Sequence, residues 1–269
     1  MNNQQIRDFF HGTEILINGN GNLREPQIGA YQEIRAHFKA SDGPCYVQLP
    51  VGSGKTGLMG LTPFGTADGR VLIIAPNVTI RRTILEELNI SDPTCFYIVR
   101  DVLKPTNGPF ISELKTGANL HDCDEAHIVV ANIQQFAGAD NRWYEKFPHD
   151  YFRQILVDEG HHNVADTWLR LFRYFRHARV VSYTATPIRA DGRAVLGKKV
   201  YSFPYSRSMI LGYISAIDSV HVSPERVSFT AKGQRHELSL DEVLKMRDHD
   251  WFSKGIALSE TCNRHIYPS

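Results

Sequence analysis

Short apolar runs separated by helical patterns constrain the fold of this chain more than any other feature. Between Pro44 and Pro187 each run is rich in β-branched residues and is apolar at successive positions, which is typical of strands buried on both faces of a parallel sheet. Amphipathic helical patterns, such as Val78–Leu88 and Thr167–Phe175, lie between the runs. This alternation predicts an α/β domain with a mostly parallel, doubly wound sheet. The predicted strands are Cys45–Leu49, Val71–Ala75, Cys95–Val99, Ile128–Ala131, Ile155–Val157 and Val180–Tyr183.

The composition narrows the class of protein. Of 269 residues, 42% are hydrophobic and 22% are charged, and the formal net charge of +1 excludes a histone-like polycation. The four cysteines form no CxxC pair, so His121, Cys123 and His127 are interpreted as part of a polar loop entering a strand and not as a zinc site. The N-terminus lacks a signal sequence and no apolar run approaches the roughly 18 residues of a membrane span. These observations predict a cytoplasmic protein without a membrane partner.

The segment LPVGSGKTG, residues 49–57, has the strand–loop–helix context of a loop that binds the phosphates of ATP. Gly52 and Gly54 permit a tight turn that brings backbone amides close to phosphate oxygens. We expect Lys55 to reach the β- and γ-phosphates and the Thr56 hydroxyl to bind Mg²⁺. The full loop pattern has glycine where Leu49 stands, a position without a required phosphate contact. The predicted ATP-binding residues here are Pro50, Val51, Gly52, Ser53, Gly54, Lys55, Thr56 and Gly57.

Two acidic boxes compete for the magnesium site: DEAH at residues 124–127 and DEGH at residues 158–161. In an open α/β sheet, ligands bind outside the carboxyl ends of the strands. Asp158 directly follows the apolar run Ile155–Val157, whereas the apolar run near Asp124 comes after the box. We therefore expect Asp158 to bind Mg²⁺ and interpret DEAH as a coincidence. Glu159 is expected to orient the water that attacks the γ-phosphate or to accept its proton.

Together with VVSYTATPIRADGR, Val180–Arg193, these motifs resemble the first motor lobe of superfamily 2 helicases and translocases. The resemblance covers Leu23 to Gly212. It is strongest to the branch of type III restriction-enzyme motor subunits and related DEAD/DEAH-like proteins. It implies a RecA-like P-loop ATPase lobe over residues 1–212. Residues 213–269 are then a linker or extension leading toward a second lobe.

The resemblance also implies roles for residues outside the phosphate loop. Gln27 resembles the adenine-reading glutamine, with Arg24 as a helper, and Pro26 stands where family members often have an aromatic residue. His161 resembles a histidine that senses the γ-phosphate side of the cleft. Two segments resemble strand-gripping motifs that contact a nucleic-acid backbone. The residues implied for coupling and for nucleic-acid contact are Thr184 and Thr186, then Pro76, Asn77, Arg81, Asn132 and Gln134.

The predicted function is that of an ATP-binding lobe that couples hydrolysis to movement on nucleic acid, with DNA favoured over RNA. No late motif of a second lobe is present, so a second RecA-like lobe is expected from a longer chain or another subunit. Without the arginine that such a lobe supplies, hydrolysis by this lobe alone is expected to be weak. A nuclease or methyltransferase partner follows only by analogy with the family. The alternatives are a P-loop switch or assembly module without motor activity, and a nucleic-acid-binding domain with a vestigial ATP site.

Overall fold

Seven parallel strands form one sheet in the computed structural model of the chain, which describes residues 1–136, 143–159, 166–187, 195–215, 226–231 and 234–239. The order across the sheet is β3-β4-β2-β5-β6-β1-β7, and every neighbouring pair is parallel. This architecture confirms the predicted α/β class with a parallel sheet. The strands are β1 (Cys45–Gln48), β2 (Val71–Ala75), β3 (Ile111–Leu114), β4 (Ile128–Asn132), β5 (Gln154–Asp158), β6 (Arg179–Thr184) and β7 (Lys198–Ser202).

Helices cover both faces of the sheet, and two one-turn 3₁₀ helices, Pro105–Asn107 and Ile133–Phe136, lie in the connections. The predicted helix Val78–Leu88 has these bounds in the structure, and Pro26 lies in the first turn of the helix that follows Arg24. The helices are α1 (Asn3–Gly12), α2 (Glu25–Ala40), α3 (Lys55–Leu61), α4 (Val78–Leu88), α5 (Phe96–Val99), α6 (Leu120–Glu125), α7 (Trp143–Lys146), α8 (Asp166–Tyr174) and α9 (Tyr205–Ile210).

The core consists of two apolar clusters, one on each face of the sheet. In β2, Ile73 packs into the cluster beneath α1 to α5, whereas its neighbours Leu72 and Ile74 pack into the cluster beneath α6 and α8. Successive strand side chains point to opposite faces. A strand buried on both faces therefore needs apolar residues at every position, which explains why β2 contains no alternating polar residue.

One predicted strand is wrong, because Cys95–Val99 contains the one-turn helix α5. The amide of Val99 donates to the carbonyl of Cys95 at 3.0 Å, which is a helical hydrogen bond. Upstream, the side chain of Asp92 accepts a hydrogen bond from the amide of Thr94 at 2.8 Å and turns the chain into this helix. Tyr97 is fully buried in α5. A short apolar run has the same appearance in a strand and in a buried helical turn.

Two strands, β3 and β7, were not predicted, and both lie at the edges of the sheet. Their sequences, ISEL and KKVYS, contain charged residues and are only partly buried. An edge strand has a single neighbour, so it lacks the continuous apolar run that marks a central strand. Charged residues at such edges also discourage pairing with other chains.

The chain divides into two compact units, Met1–Ser215 and Ala216–Ser269. In the second unit the structure describes two antiparallel strands, β8 (Arg226–Ala231) and β9 (Gln234–Ser239). The first unit contains the parallel sheet and all the elements described below. Among the described helices, none combines the length and apolar character that a membrane crossing requires.

Candidate nucleotide-binding site

The carboxyl ends of β1, β6 and β5 are neighbours at one edge of the sheet, with β6 between the other two. The phosphate loop leaves β1, Thr184 ends β6, and Asp158 ends β5. In the strand register, Thr184 pairs with Gln48 and Tyr183 pairs with Asp158. Because parallel strands all end at the same edge, residues far apart in sequence meet there, in the position where open α/β sheets bind ligands.

The phosphate loop, residues 49–54, begins in the core and turns sharply outside it. Leu49 is fully buried and its amide donates to the carbonyl of Thr184 at 2.9 Å, which accounts for an apolar residue at the first position of the loop. Gly52 and Gly54 have φ values of +84° and +89°, which side chains with a Cβ rarely adopt. Ser53, between them, is buried. The two glycines therefore produce a curved backbone of the kind that encloses phosphate groups.

Lys55 lies beside two carboxylates that are about a hundred residues away in sequence. Its Nζ forms an ion pair with Glu159 and lies 3.9 Å from Oδ1 of Asp158. The side chains of Lys55 and Asp158 retain only 11% and 9% of their exposure. Charges this deeply buried are tolerated when they are paired. The structure thus brings together the loop lysine and the DEGH carboxylates, as the sequence motifs led us to expect.

The surroundings of Asp158 shift its pKa, and the backbone conformation of Glu159 sets the direction of its side chain. Burial raises the pKa of Asp158, Lys55 opposes this effect, and Glu159 adds to it. The Asp158 carboxylate also accepts a hydrogen bond from the backbone amide of Glu159 at 3.0 Å. Glu159 has a φ of +53°, an uncommon value for a residue other than glycine. This left-handed turn at the end of β5 orients the Glu159 side chain toward Lys55.

The donors available for a metal ion fit Mg²⁺. Thr56 follows Lys55 at the start of α3 and lines the same cavity as Asp158. A hydroxyl and a carboxylate are hard oxygen donors, and Mg²⁺ in nucleotide sites is typically held by one or two protein groups together with phosphates and water. Among the described residues, no group of three or more His, Cys, Asp or Glu side chains forms a separate metal cluster.

Gln27 and Arg24 lie directly against the phosphate loop. Gln27 is 4% exposed, and its Nε2 donates to the carbonyl of Gly54 at 3.0 Å while its Oε1 accepts from the amide of Arg24 at 2.9 Å. The Arg24 guanidinium contacts the carbonyl of Gly52. Both ends of the Gln27 amide are thus bound to backbone groups in this structure. These contacts of Gln27 and Arg24 link the start of α2 to Gly54 and Gly52 of the loop.

These residues surround a cavity of about 600 Å³. Its lining includes the charged side chains of Lys55, Asp158 and Glu159 as well as the rings of Phe96 and Tyr213. No sequence motif marks Tyr213, so it was not predicted as a site residue. The Arg24 guanidinium carbon lies 5.2 Å from the centre of the Tyr213 ring. The two residues are far apart in sequence, so no local pattern could predict this contact. Further lining residues are Val51, Gly52, Gly54, Thr56, Gly57, Ile80, Thr83, Glu87, Thr94, Val99 and Arg100.

Thr184 and Thr186 form a compact turn at the end of β6. The amide of Thr186 donates to Oγ1 of Thr184 at 3.1 Å, and this Oγ1 donates to the carbonyl of Thr186 at 3.2 Å. Thr184 is fully buried, while Thr186 is exposed. Since β6 separates the phosphate-loop strand from the strand of Asp158, this turn follows the end of the strand between them.

The DEAH box lies at the opposite end of the strands from the cavity, where the strands of the parallel sheet begin. Asp124 is in α6, which precedes β4, so it lies near the amino end of a strand, whereas Asp158 lies at a carboxyl end. Oδ1 of Asp124 accepts a hydrogen bond from the hydroxyl of Tyr151 at 2.7 Å. His127, the last residue of the box, is 5% exposed in the core. In the other box, His161 lies outside the described residues.

The two segments expected to contact nucleic acid are in contact with each other. Arg81 is 8% exposed, donates to Oδ1 of Asn132 at 2.6 Å and pairs with Glu113 at 2.9 Å. Asn77 is exposed and caps α4, accepting from the amide of Ile80 at 2.9 Å. The other two residues are Pro76, which is partly buried, and Gln134, which is exposed.

Several solved structures resemble the chain at low identity. A hypothetical ATP-dependent RNA helicase from Sulfolobus tokodaii is 14% identical, with a TM-score of 0.48, over 69% of this chain and 54% of that chain. The UvsW helicase from bacteriophage T4 is 14% identical, with a TM-score of 0.46, over 64% and 58%. The Hef helicase domain from Pyrococcus furiosus is 21% identical, with a TM-score of 0.48, over 66% and 38%. This chain spans less than two thirds of the length of each.

A family model described as "Type III restriction enzyme, res subunit" matches residues 20–189, which is more than half of the chain. No curated protein matches the chain. The matched residues include the phosphate loop, the DEGH box and the Thr184–Thr186 turn, so the match confirms the resemblance seen in the sequence. The chain therefore belongs to the family of type III restriction enzyme res subunits, and its described lobe is a helicase-type ATP-binding domain.

Proposed function

We propose that this lobe binds ATP with Mg²⁺ and hydrolyses ATP in a nucleic-acid-dependent manner as part of a helicase or translocase. The observation that carries the proposal is the position of Lys55 between Asp158 and Glu159 at the mouth of the phosphate loop. One lysine beside two carboxylates leaves an excess negative charge at a largely buried site, which a bound positive group would balance. A polyphosphate with its metal ion supplies such a group: the phosphates pair with the lysine, and the metal pairs with a carboxylate.

Each residue then has a defined task. The backbone of Gly52 to Gly54 surrounds the phosphates, and Lys55 leaves Glu159 to neutralise the β- and γ-phosphates. Thr56 and Asp158 hold Mg²⁺, which supplies positive charge to the phosphate oxygens. Glu159, once released from Lys55, orients the attacking water and accepts its proton.

The Thr184–Thr186 turn is proposed to couple hydrolysis to lobe movement. It follows β6, which lies between β1 and β5. A movement of Asp158 or Glu159 at the end of β5 would therefore reach the turn through the backbone of neighbouring strands. We propose that residues 1–212 form the ATPase lobe and that residues 213–269 lead to a second RecA-like lobe, in a longer protein or in another subunit. That second lobe closes the ATP cleft, and His161 senses the γ-phosphate side.

For nucleic acid, we propose backbone contacts at the carboxyl ends of β2 and β4. The exposed groups there are on Asn77 and Gln134, with Pro76 shaping the first loop. Arg81 and Asn132 are buried against each other and are proposed to hold these loops in position. Phosphate contacts of this kind carry little sequence information. DNA is the proposed polymer, by analogy with restriction enzymes, as is a nuclease or methyltransferase partner.

The test is calorimetric binding of a non-hydrolysable ATP analogue with Mg²⁺ to the 269-residue chain. Lys55→Ala and Asp158→Ala are expected to abolish measurable binding. Asp124→Ala, which removes the matching aspartate of DEAH, is expected to leave the affinity unchanged. An affinity lost in Asp124→Ala and kept in Asp158→Ala would refute the choice of acidic box.

Nucleic-acid dependence requires a second measurement. Hydrolysis is followed with and without single- and double-stranded DNA or RNA, and binding of labelled oligonucleotides is followed by anisotropy in the presence of the analogue. A rate increase with one polymer supports the motor. ATP binding with an analogue-driven change in oligomeric state, and no response to any polymer, would instead identify a nucleotide-binding switch or assembly module.

A further inference from the structure

The outer face of α8 carries two arginines that have no part in the nucleotide site. Trp168 and Leu171 of this helix are buried in the core, whereas Arg170 and Arg173 are exposed. In a helix of about 3.6 residues per turn, these positions place the two arginines together on the side opposite the buried residues. Among the carboxylates that the structure describes, none forms an ion pair with either guanidinium. Both groups are therefore available to an anionic ligand.

The neighbour of α8 is one of the two segments proposed to contact nucleic acid. The helix packs against the 3₁₀ helix Ile133–Phe136, in which Gln134 is exposed. The rings of Phe136 and Phe175 lie 6.4 Å apart, centre to centre, and are almost perpendicular. Both rings are buried, so this contact fixes the end of α8 against the 3₁₀ helix. The helix that carries the arginines is thus a direct neighbour of the segment that contains Gln134.

A second helix brings another cation to the same 3₁₀ helix. It is α7, which packs against the 3₁₀ helix, and Nε1 of Trp143 donates to Oε1 of Gln135 at 3.3 Å. Lys146, at the end of α7, is exposed, and its Nζ lies 4.6 Å from the centre of the buried Trp143 ring. This cation–π contact keeps the ammonium group close to α7. Two helices with exposed cations therefore pack on the segment of Gln134.

We propose that Lys146, Arg170 and Arg173 form a basic surface that binds the phosphate backbone of nucleic acid and extends the contact region of Gln134. The inference rests on the proposed function, because it adds a second contact region for the same polymer. Guanidinium groups donate hydrogen bonds in a plane that matches phosphate oxygens, and the ammonium group acts as a point charge. An acidic protein would also match three cations, but the position beside Gln134 favours nucleic acid. Such contacts carry no base specificity and weaken with salt.

The test measures the salt dependence of binding by fluorescence anisotropy, with the 269-residue chain, the ATP analogue and Mg²⁺. The probe is a labelled single-stranded DNA of about 20 nucleotides, longer than common single-strand site sizes. The variant combines Lys146→Gln, Arg170→Gln and Arg173→Gln. We expect the slope of log affinity against log salt to become shallower by about 2, at about 0.7 for each lost phosphate contact. Affinity at about 0.1 M salt is expected to fall by about tenfold to a hundredfold.

Two further variants separate phosphate contact from other effects. The matched control combines Arg35→Gln, Lys39→Gln and Lys198→Gln, which removes three exposed cations from α2 and β7. The strand β7 lies at the opposite edge of the sheet from β3 and β4, and α2 packs against it, so the slope is expected to stay unchanged. Combined Arg170→Lys and Arg173→Lys keep both charges and are expected to keep the slope. Urea denaturation checks that each variant folds as the unmodified chain does.

The outcomes distinguish this inference from the proposed function. A slope that becomes shallower only in the variant of α7 and α8, and is kept in the lysine variant, supports the basic surface. DNA binding with equal slopes in that variant and the unmodified chain would overturn the inference and leave the proposed function standing. Equal changes in the matched control would assign the effect to net charge, and loss in the lysine variant would assign it to helix structure; both overturn it. If the unmodified chain binds neither DNA nor RNA, the nucleic-acid part of the proposed function fails as well.

Discussion

Nη1 of Arg81 donates a hydrogen bond of 2.6 Å to Oδ1 of Asn132, and both residues are buried. Arg81 belongs to α4, after β2, and Asn132 ends β4, the strand next to β2. The Asn132 Nδ2 also donates to the carbonyl of Ala75 at 3.3 Å, and Arg81 pairs with Glu113 of β3. One arginine thus connects three neighbouring strands at the edge where nucleic-acid contacts are proposed.

Arg81→Ala is expected to lower the free energy of unfolding by about 2–3 kcal/mol, because it leaves the buried side-chain carbonyl of Asn132 without its donor. It also removes one of the two cations paired with Glu113, the other being Lys115. Urea denaturation measures this loss. Arg82→Ala is the matched control, since Arg82 is the next residue and pairs with Glu86 on an exposed surface, where its side chain is 80% exposed. Little change is expected there. Equal losses in the two variants would contradict a supporting role for the Arg81–Asn132 pair.

His127 is expected to make the protein acid-sensitive. Burial, then Arg70 and the N-terminal amine, lower its pKa to about 4. Its Nδ1 accepts from the amide of Phe110 at 3.0 Å, a bond that protonation of Nδ1 would break. Between about pH 6.5 and about pH 4, His127 is protonated in the unfolded chain but stays neutral in the folded chain. The free energy of unfolding therefore falls as the pH drops through this interval. The shift predicts a loss of about 3 kcal/mol from this residue.

Urea denaturation at pH 7, 5.5 and 4 checks this expectation. His127→Asn retains an acceptor for the amide of Phe110 but does not titrate, so its stability is expected to depend less on pH over this interval. His149→Asn is the control for replacing a histidine by asparagine, because His149 is exposed. A slope in His127→Asn as steep as that of the unmodified chain would disprove the assignment.

Gly54→Ala is expected to damage the nucleotide site through two separate effects. The φ of +89° disfavours any residue with a Cβ by about 1–2 kcal/mol. The added Cβ would also lie 2.6 Å from Nε2 of Gln27, which must move. We expect a loss of measurable ATP-analogue binding together with lower stability. Gly117→Ala isolates the backbone effect, because Gly117 has a φ of +79° but no atom within 4 Å of an added Cβ. Unchanged analogue binding by Gly54→Ala would contradict the role of this glycine in the loop.

Glu159→Gln is expected to separate binding from hydrolysis. The amide keeps the shape of the side chain but cannot accept a proton from water, so the hydrolysis rate is expected to fall by about 10²–10⁴-fold. Analogue affinity is expected to stay the same or rise, because Lys55 no longer pairs with a carboxylate at this position. The rate is measured under single-turnover conditions, with Asp124→Asn as the control. A hydrolysis rate equal to that of the unmodified chain would exclude Glu159 as the base.

The central strands and the fold class were predictable because their signals are local. A strand buried on both faces favours apolar residues at successive positions. All five residues of β2 are apolar, and β5 has three in succession, Ile155–Val157. Asp158 could be preferred over Asp124 for the same reason. The sequence shows directly that the apolar run comes before the DEGH box and after the DEAH box. Edge strands and the helical turn at Phe96–Val99 lack such a signal, because partial burial leaves no continuous pattern and four residues are too few to show a period.

Residue identity and spacing by themselves determined the parallel α/β class, the phosphate loop and the acidic box that ends a buried strand. Only the tertiary structure decided which distant residues meet. The order of the strands puts β6 between β1 and β5, which brings Lys55 to Asp158 and Glu159. The same packing joins Arg81 to Asn132 and brings Tyr213 over Arg24. Periodicity records which face of an element is buried, but the partner on that face depends on chain topology, which no local pattern contains.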